Sequence, residues 1–548
     1  MRRLSTLVFL TFLLSPSWTL AQDGLPVENE LIRTACGSCH ASDADGRMSR
    51  ISYQRKSPEG WQITLKRMIR TNGLDLTPAQ AREIVRYLSD HHGLAPEEAR
   101  PFFYRAEKRP RIEKFEDEEL SATCVRCHLG ARFATQRRTT EEWNLLKGMH
   151  IGYFPVIESQ TFRGPSPMND GGVFGPDSNV GDGSKWRADR VLAKLAEAYP
   201  FDTPAYRSFR AKQSTRQIAG SWILKSHIPA QGPVSGVVTF EGADGDYTYS
   251  AELTRADGTA ITRTGEGVLY GGYSWRGRSS APNAGPASEL REVMMLSKDS
   301  SKLTGRWFYG TYGELGADVS LTRLGNDPVI ASVWPPAAKV GAGAVTVTVR
   351  GANLADGDLE FGQGVRVTSI DARSATSMTV TLDVSDDALS GYRDVAYQAT
   401  RAMNAFAVYD SVDYVKVVPE EGLSRVGGGS VPKQLAQFEA VAYHRGHDDE
   451  ILTDDDINLG VVRPEWSIEE YHIRHEDDDA DFVGTIDADG LFTPSIDGPN
   501  MDRELNANNM GDIWIVASYT PDGASDTIRG RSRLVVAPPL FVYWELMP

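Results

Sequence analysis

Cysteine is scarce. The 548 residues contain 4, at positions 36, 39, 124 and 127. None lies beyond residue 127, so the later domains must be held by packing without disulfides. Long apolar runs are also missing. After the N-terminus no segment has the length and apolarity of a membrane helix, which excludes a spanning anchor there. Basic charge is in deficit. With 58 Lys and Arg against 74 Asp and Glu, the formal net charge is −16 at pH 7, which argues against nucleic acid as a partner. A defensible nucleophile–base arrangement is lacking from residues 216–548. The acidic runs Asp448–Glu450, Asp454–Asp456 and Glu476–Asp479 lack the ordered spacing of an EF-hand calcium loop and read as solvated loops. His444, His447, His472 and His475 lie beside them without a metal-binding template.

The cysteines that are present fall in two copies of one pattern. Cys36-Gly-Ser-Cys39-His40 and Cys124-Val-Arg-Cys127-His128 each place two thiols three residues apart with a histidine directly after. That spacing suits covalent haem c attachment: two thioethers to one porphyrin, and an imidazole reaching the iron from the proximal face. Two copies predict two haems c. Paired disulfides would not explain the histidine at the same offset in both.

The start of the chain agrees with that chemistry. Arg2 and Arg3 precede an apolar run from Leu7 to Leu14, and Thr19 and Ala21 are small residues at the cleavage positions. Residues 1–21 therefore read as a secretory signal, and the mature protein is expected in the periplasm, the oxidising side where haem c is attached.

Residues 22–215 are expected to form a mainly α di-haem domain of two units, about 25–100 and 115–215. In the first, Ser57-Pro58 predicts a helix start, with Trp61, Leu65 and Met68 on one face. Thr77-Pro78 with Gln80 predicts a second, capped helix with Ala81, Ile84, Val85 and Leu88 buried, stopping near Gly93. The second unit repeats the first: Thr139 matches Ser57, Trp143 matches Trp61, and His150 stands seven residues after its Trp as Met68 does. Met68 is thus the candidate distal ligand of the first haem and His150 of the second. Their rivals are Met48 and Met149. His91 and His92 read as charges at a helix C-terminus. Trp61 and Trp143 are candidate haem-pocket walls. Residues 151–183 are rich in Gly, Pro, Asp and Asn and read as a loop that covers the second haem or reaches a partner.

Beyond residue 216 the periodicity changes to alternation. Residues 216–326 are expected to form an antiparallel β barrel, and 327–415 and 416–548 two immunoglobulin-like sandwiches. Asp257-Gly258 marks a hairpin, Val345–Val349 a strand, and Gly484–Phe492 resembles a segment of bacterial immunoglobulin-like repeats.

This order, carried by Cys36, Cys39, His40, Cys124, Cys127 and His128 with the Trp61/Met68 and Trp143/His150 pairs, resembles the α subunit of quinohemoprotein amine dehydrogenase across essentially the whole mature chain. The resemblance implies a non-catalytic electron-transfer subunit within an oxidoreductase. It implies a heterotrimer with a β-propeller subunit and a small subunit that carries cysteine tryptophylquinone and performs the amine chemistry. It also implies a soluble acceptor, a small cytochrome c or a blue-copper protein. Methionine raises a haem's potential more than a second imidazole does, so electrons are expected to enter at the second haem and leave from the first. The haem motifs alone also fit a subunit of another periplasmic dehydrogenase or a di-haem peroxidase, and the β domains alone fit an adhesion scaffold. Mass spectrometry of the mature protein is expected to show two haem additions and loss of about the first 21 residues by signal cleavage; a chain carrying one haem contradicts this reading.

Overall fold

A computed structural model describes residues 23–163, 186–210, 216–282, 288–309, 315–428, 431–472, 477–503 and 506–538. The expected signal, residues 164–183 of the expected covering loop, His475 and Glu476 lie outside these. The chain forms two compact units. One comprises Met1–Leu94 and Ala134–Ser208, the other Ala95–Phe133 and Phe209–Pro548.

In the first unit, helix α1 spans Glu30–Cys36, and the Asn29 side chain accepts from the Ile32 N–H. Helix α2, Pro58–Asn72, begins where Ser57 accepts from Gly60 N, with proline at its first turn; it ends at Gly73, whose φ of 71° suits glycine. Helix α3, Pro78–His91, carries a complete capping box between Thr77 and Gln80. The apolar faces of these helices meet: Ile32, Trp61, Leu65, Ile84 and Leu88 pack with Val27, Met48 and Ile51 in one core. Further helices span Thr140–Tyr153, capped by the Thr139 hydroxyl, and Arg187–Ala198, which buries Val191, Leu192 and Leu195. Strands β1, Gln54–Lys56, and β2, Gln136–Arg138, pair antiparallel with Arg55 opposite Arg137.

The expected fold class needs correction. The chain as a whole is 42% strand and 23% helix, with an eight-stranded barrel and several sheets, so strands dominate it. The physical reason lies beyond residue 216, where alternating residues build strands over most of the remaining chain. Pro96, Pro101 and Pro110 each open a short helical turn, and none of these turns lengthens into a regular helix. The stretch around the second cysteine pair is a three-residue helical turn followed by a π turn. Ala95–Phe133 groups with the second unit. The antiparallel barrel expected at 216–326 is present, and the later described strands form five further sheets.

In the second unit, strands β3 (Gly220–Ile228), β4 (Gly232–Ala243), β5 (Asp246–Arg255), β6 (Ala260–Tyr270), β7 (Ser274–Ser280), β8 (Leu290–Leu296), β9 (Lys302–Tyr309) and β10 (Leu315–Arg323) close into an antiparallel barrel. Its interior is crowded by aromatic rings, and glycines make room for them. A Cβ on Gly265 would lie 2.3 Å from the Tyr249 ring, and one on Gly277 would lie 2.6 Å from the Trp275 indole. Residues 329–409 form two four-stranded sheets around Val347, Val349, Val380, Leu382 and Phe406. Residues 414–537 form sheets of three, four and three strands around Phe438, Phe492, Ile513, Ile515 and Leu534.

The barrel also buries a carboxyl group. Glu292 accepts from the Trp275 indole N–H at 3.0 Å and from the Tyr249 hydroxyl. Burial, only partly offset by these bonds, pushes its carboxyl above the ordinary range. The folded state therefore holds the proton more tightly than the unfolded chain. This stabilisation is full below the unfolded value, about 4.3, and is lost as pH rises through the folded value. Glu292→Gln is expected to remove that loss. Its melting temperature should exceed the wild type's increasingly from pH 4 to pH 7; parallel melting curves across that range would show that Glu292 does not titrate there.

Candidate haem-binding site

The first attachment motif grows out of a helix end. Cys36 closes α1, and the N–H groups of Cys39 and His40 both donate to the Cys36 carbonyl, at 3.2 and 2.9 Å. The chain thus makes one more tight turn, which carries the second thiol and the imidazole past the helix. Cys36 is half-buried against the apolar core and Cys39 is exposed. Burial, then the neighbouring Cys39, pushes the Cys36 thiol up. His40 Nδ1 lies 2.9 Å from the Ser49 carbonyl. A carbonyl on Nδ1 fixes the tautomer and leaves Nε2 the iron-side atom, the arrangement a proximal ligand requires.

The second motif lies in the second unit. Asp117 caps the turn Glu118–Leu120, which runs into the π turn Ser121–Val125 that carries Cys124. Burial pushes the Cys124 thiol up to about 12, and Cys127 is exposed. None of the four cysteines is joined in a disulfide. His128 Nδ1 lies 2.9 Å from the Leu129 carbonyl. Just beyond, Glu113 accepts from the N–H groups of Gly130 and Ala131 at 2.6 and 2.8 Å. In both motifs the thiol pair and the carbonyl-bound imidazole suit haem c.

The two candidate walls sit in duplicated surroundings within the first unit. Trp61 donates its indole N–H to the His92 carbonyl at 3.0 Å, and Trp143 donates to the Tyr199 carbonyl at 3.2 Å. His92 closes the helix Pro78–His91, and Tyr199 closes the helix Arg187–Ala198. Lys56 lies over the Trp61 ring at 4.8 Å and Arg138 over the Trp143 ring at 5.5 Å. The repeat is therefore longer than the motif spacing suggests. Gln54-Arg55-Lys56-Ser57 and Gln136-Arg137-Arg138-Thr139 each run strand into N-cap, with Glu59 and Glu141 at matching places in the first helical turns. That signal stands in the sequence, but strands of three residues are too short to show alternation.

Of the distal candidates, Met48 is fully buried within the apolar core, whereas Met68 is half-buried on α2. His150 is half-buried; its Nδ1 lies 2.8 Å from the Leu146 carbonyl, and its ring meets Phe162 edge-on at 5.8 Å. Met149 is half-buried on the same helix. His150 and Trp143 belong to the first unit and Cys124, Cys127 and His128 to the second. His92 is not the surface charge expected: it is buried against Trp61, while His91 is exposed and stacked on Tyr87 at 4.3 Å.

Two charged features escaped sequence reasoning. Arg55 is wholly buried, donates to the carbonyls of Phe201 and Gly93, and stands 3.6 Å from the centre of the Tyr206 ring. Glu142 meets Arg50 at 3.0 Å and Arg138 at 3.5 Å. Burial outweighs the pairing in both partners: it pushes the Glu142 carboxyl up and pulls the Arg138 guanidinium down to about 10. The acidic runs of the last domain serve locally. Asp478 and Asp479 both bind Arg503, Asp455 accepts from the His447 N–H, and Asp456 accepts from the Tyr414 hydroxyl.

The haem-binding region of quinohemoprotein amine dehydrogenase A, alpha subunit, matches residues 27–164, which contain both cysteine motifs, Met68 and His150. Domain II of the alpha subunit matches 215–324, domain III 327–410 and domain IV 415–546. The chain belongs to the quinohemoprotein amine dehydrogenase alpha subunit family. Membership places it in an amine dehydrogenase complex, an oxidoreductase, and implies partner subunits. Among the described residues no helix is long and apolar enough to cross a membrane. No curated protein matches the chain. Among solved structures it is similar to a redesigned β barrel bound to DFHBI (15% identity, 20% of this chain and 100% of that one, TM-score 0.17). It is also similar to the surface layer protein SbsC, domains 4–9 (12% identity, 57% and 48%, TM-score 0.15), and neither likeness is close enough to inform function.

The buried tryptophans give a stability test. Trp143→Ala in the holoprotein is expected to cost about 3–5 kcal/mol, the usual range for a large buried ring. Trp143→Phe keeps a ring but loses the bond to Tyr199 and should cost about 1–3 kcal/mol. Denaturant unfolding followed by Soret absorbance separates the two.

Proposed function

We propose that this chain is the electron-transfer subunit of a periplasmic quinohaemoprotein amine dehydrogenase, itself without amine chemistry. A small partner subunit bearing cysteine tryptophylquinone would deaminate primary amines, a β-propeller subunit would complete the heterotrimer, and a small cytochrome c or blue-copper protein would accept the electrons. The observation that carries this reading is the match of all four alpha-subunit regions, in order, with both attachment motifs inside the haem-binding one. Export rests on the Arg2–Ala21 pattern.

Haem c, when bound, supplies a one-electron ferric–ferrous couple. The residues of this chain fix its place and bias its potential. Cys36 and Cys39 would hold the first group and Cys124 and Cys127 the second. His40 would be the proximal ligand of the first, oriented by the Ser49 carbonyl, and His128 that of the second. Met68 and His150 would be the distal ligands, an assignment resting on their equal offset from Trp61 and Trp143. Met48 is a poor alternative because the apolar core already encloses it.

Purification of the native protein tests the assembly: a small co-purifying chain with a modified tryptophan supports the reading, and its absence from an amine-oxidising preparation refutes it. In Met68→His the methionine–iron charge-transfer band of the ferric spectrum should vanish, and in His150→Met it should roughly double, since each axial methionine contributes one such band. A band that survives Met68→His removes Met68 from the ligand set.

A further inference from the structure

We propose that Glu113 is a positioning residue for the proximal imidazole of the second haem, acting through a single peptide group and holding that haem's reduction potential down. The proposal rests on the reading of His128 as proximal ligand. The peptide in question joins Leu129 to Gly130. Its carbonyl oxygen lies 2.9 Å from His128 Nδ1. Its N–H donates to Glu113 Oε1 at 2.6 Å. The other carboxylate oxygen accepts from Ala131 N at 2.8 Å and from the Tyr104 hydroxyl at 2.8 Å. Imidazole, amide and carboxylate therefore form one hydrogen-bonded chain.

The electrostatic direction of that chain follows from its parts. With iron on Nε2, Nδ1 carries the proton and donates to Leu129 O. A carboxylate bound to the N–H end of the amide polarises it and makes its oxygen a stronger acceptor. A stronger acceptor on Nδ1–H makes the imidazole a better electron donor, which favours ferric over ferrous iron. The amide is also held sterically. Gly130 lies so close to the Phe115 ring that a Cβ would come within 2.2 Å of it, and Phe115 is backed by Phe133 at 5.4 Å. The first motif is built differently. Both carbonyls accept a second donor, Ser49 O from Ile51 N at 2.8 Å and Leu129 O from Arg132 N at 3.0 Å, but among the described residues no carboxylate binds the N–H of the Ser49–Arg50 peptide as Glu113 binds that of Gly130. The two proximal histidines are thus unequally activated, apart from any difference in distal ligand.

The test is a haem-resolved spectroelectrochemical titration of the purified holoprotein, with the methionine–iron band marking the first haem. Glu113→Gln keeps the shape and removes the charge. It is expected to raise the second haem's midpoint by about 59 mV, a tenfold change in its one-electron equilibrium, and to leave the first unchanged. Tyr104→Phe removes a competing donor and should move the same midpoint downward, which keeps the test decisive if Glu113→Gln folds poorly. The proximal ring N–H resonance in the paramagnetic NMR spectrum should shift with each variant. A folded two-haem Glu113→Gln protein with both midpoints unmoved, or with both raised equally, overturns the proposal. Failure of the underlying assignment looks different: His128→Ala would then leave the axial-ligand spectrum of the second haem intact.

Discussion

The first unit depends on a three-residue pairing. Strand β1 lies antiparallel to β2 with Arg55 opposite Arg137, and each strand runs directly into the N-cap of the helix that bears a buried tryptophan. Both indoles then bind a carbonyl that closes a later helix. Strand, cap, tryptophan and helix end are thereby locked in series, twice. The apolar core could tolerate small slips of any one helix. The indole bonds cannot, because a buried N–H without its acceptor costs about 1–3 kcal/mol. The offset from Trp61 to Met68 and from Trp143 to His150 inherits its meaning from this lock.

Much of this was legible in the residues. Ser57-Pro58, Thr77 with Gln80, and Thr139 are side-chain statements about orphan helix donors, and the helices begin at each of them. The attachment motifs were legible because covalent chemistry needs fixed spacing. What was not legible is what depends on distant partners. Arg55 resembles any surface cation until Phe201, Gly93 and Tyr206 surround it. Met48 and Met68 are chemically equal in sequence, and only burial separates them. The helix lengths were not legible either, since Pro96, Pro101 and Pro110 stand at helix starts just as Pro58 and Pro78 do, yet open only short turns.

The second unit shows a different economy. Its strands hold mostly apolar interiors, yet the barrel encloses Glu292 with Tyr249 and Trp275. Such a cluster costs solvation energy, and its directional bonds specify which rings face which glycines. The segment Ala95–Phe133, which bears the second pair of cysteines, is tied into this same unit. Arg306 binds the Glu107 carbonyl, and Arg276 lies over the Phe103 ring at 5.1 Å. The strand-built unit therefore includes one of the two attachment loops in its own framework.

The Arg55 contacts also bear on the timing of assembly. Its guanidinium bonds a carbonyl 146 residues further along the chain. Contacts of such separation form late, after the loop-closure entropy has been met. As the polypeptide emerges from its N-terminus, Cys36, Cys39 and His40 are present long before Phe201 exists to complete the surroundings of Arg55. Cys36, Cys39 and His40 thus lie in a unit whose Arg55 contacts can close only once Phe201 has been made.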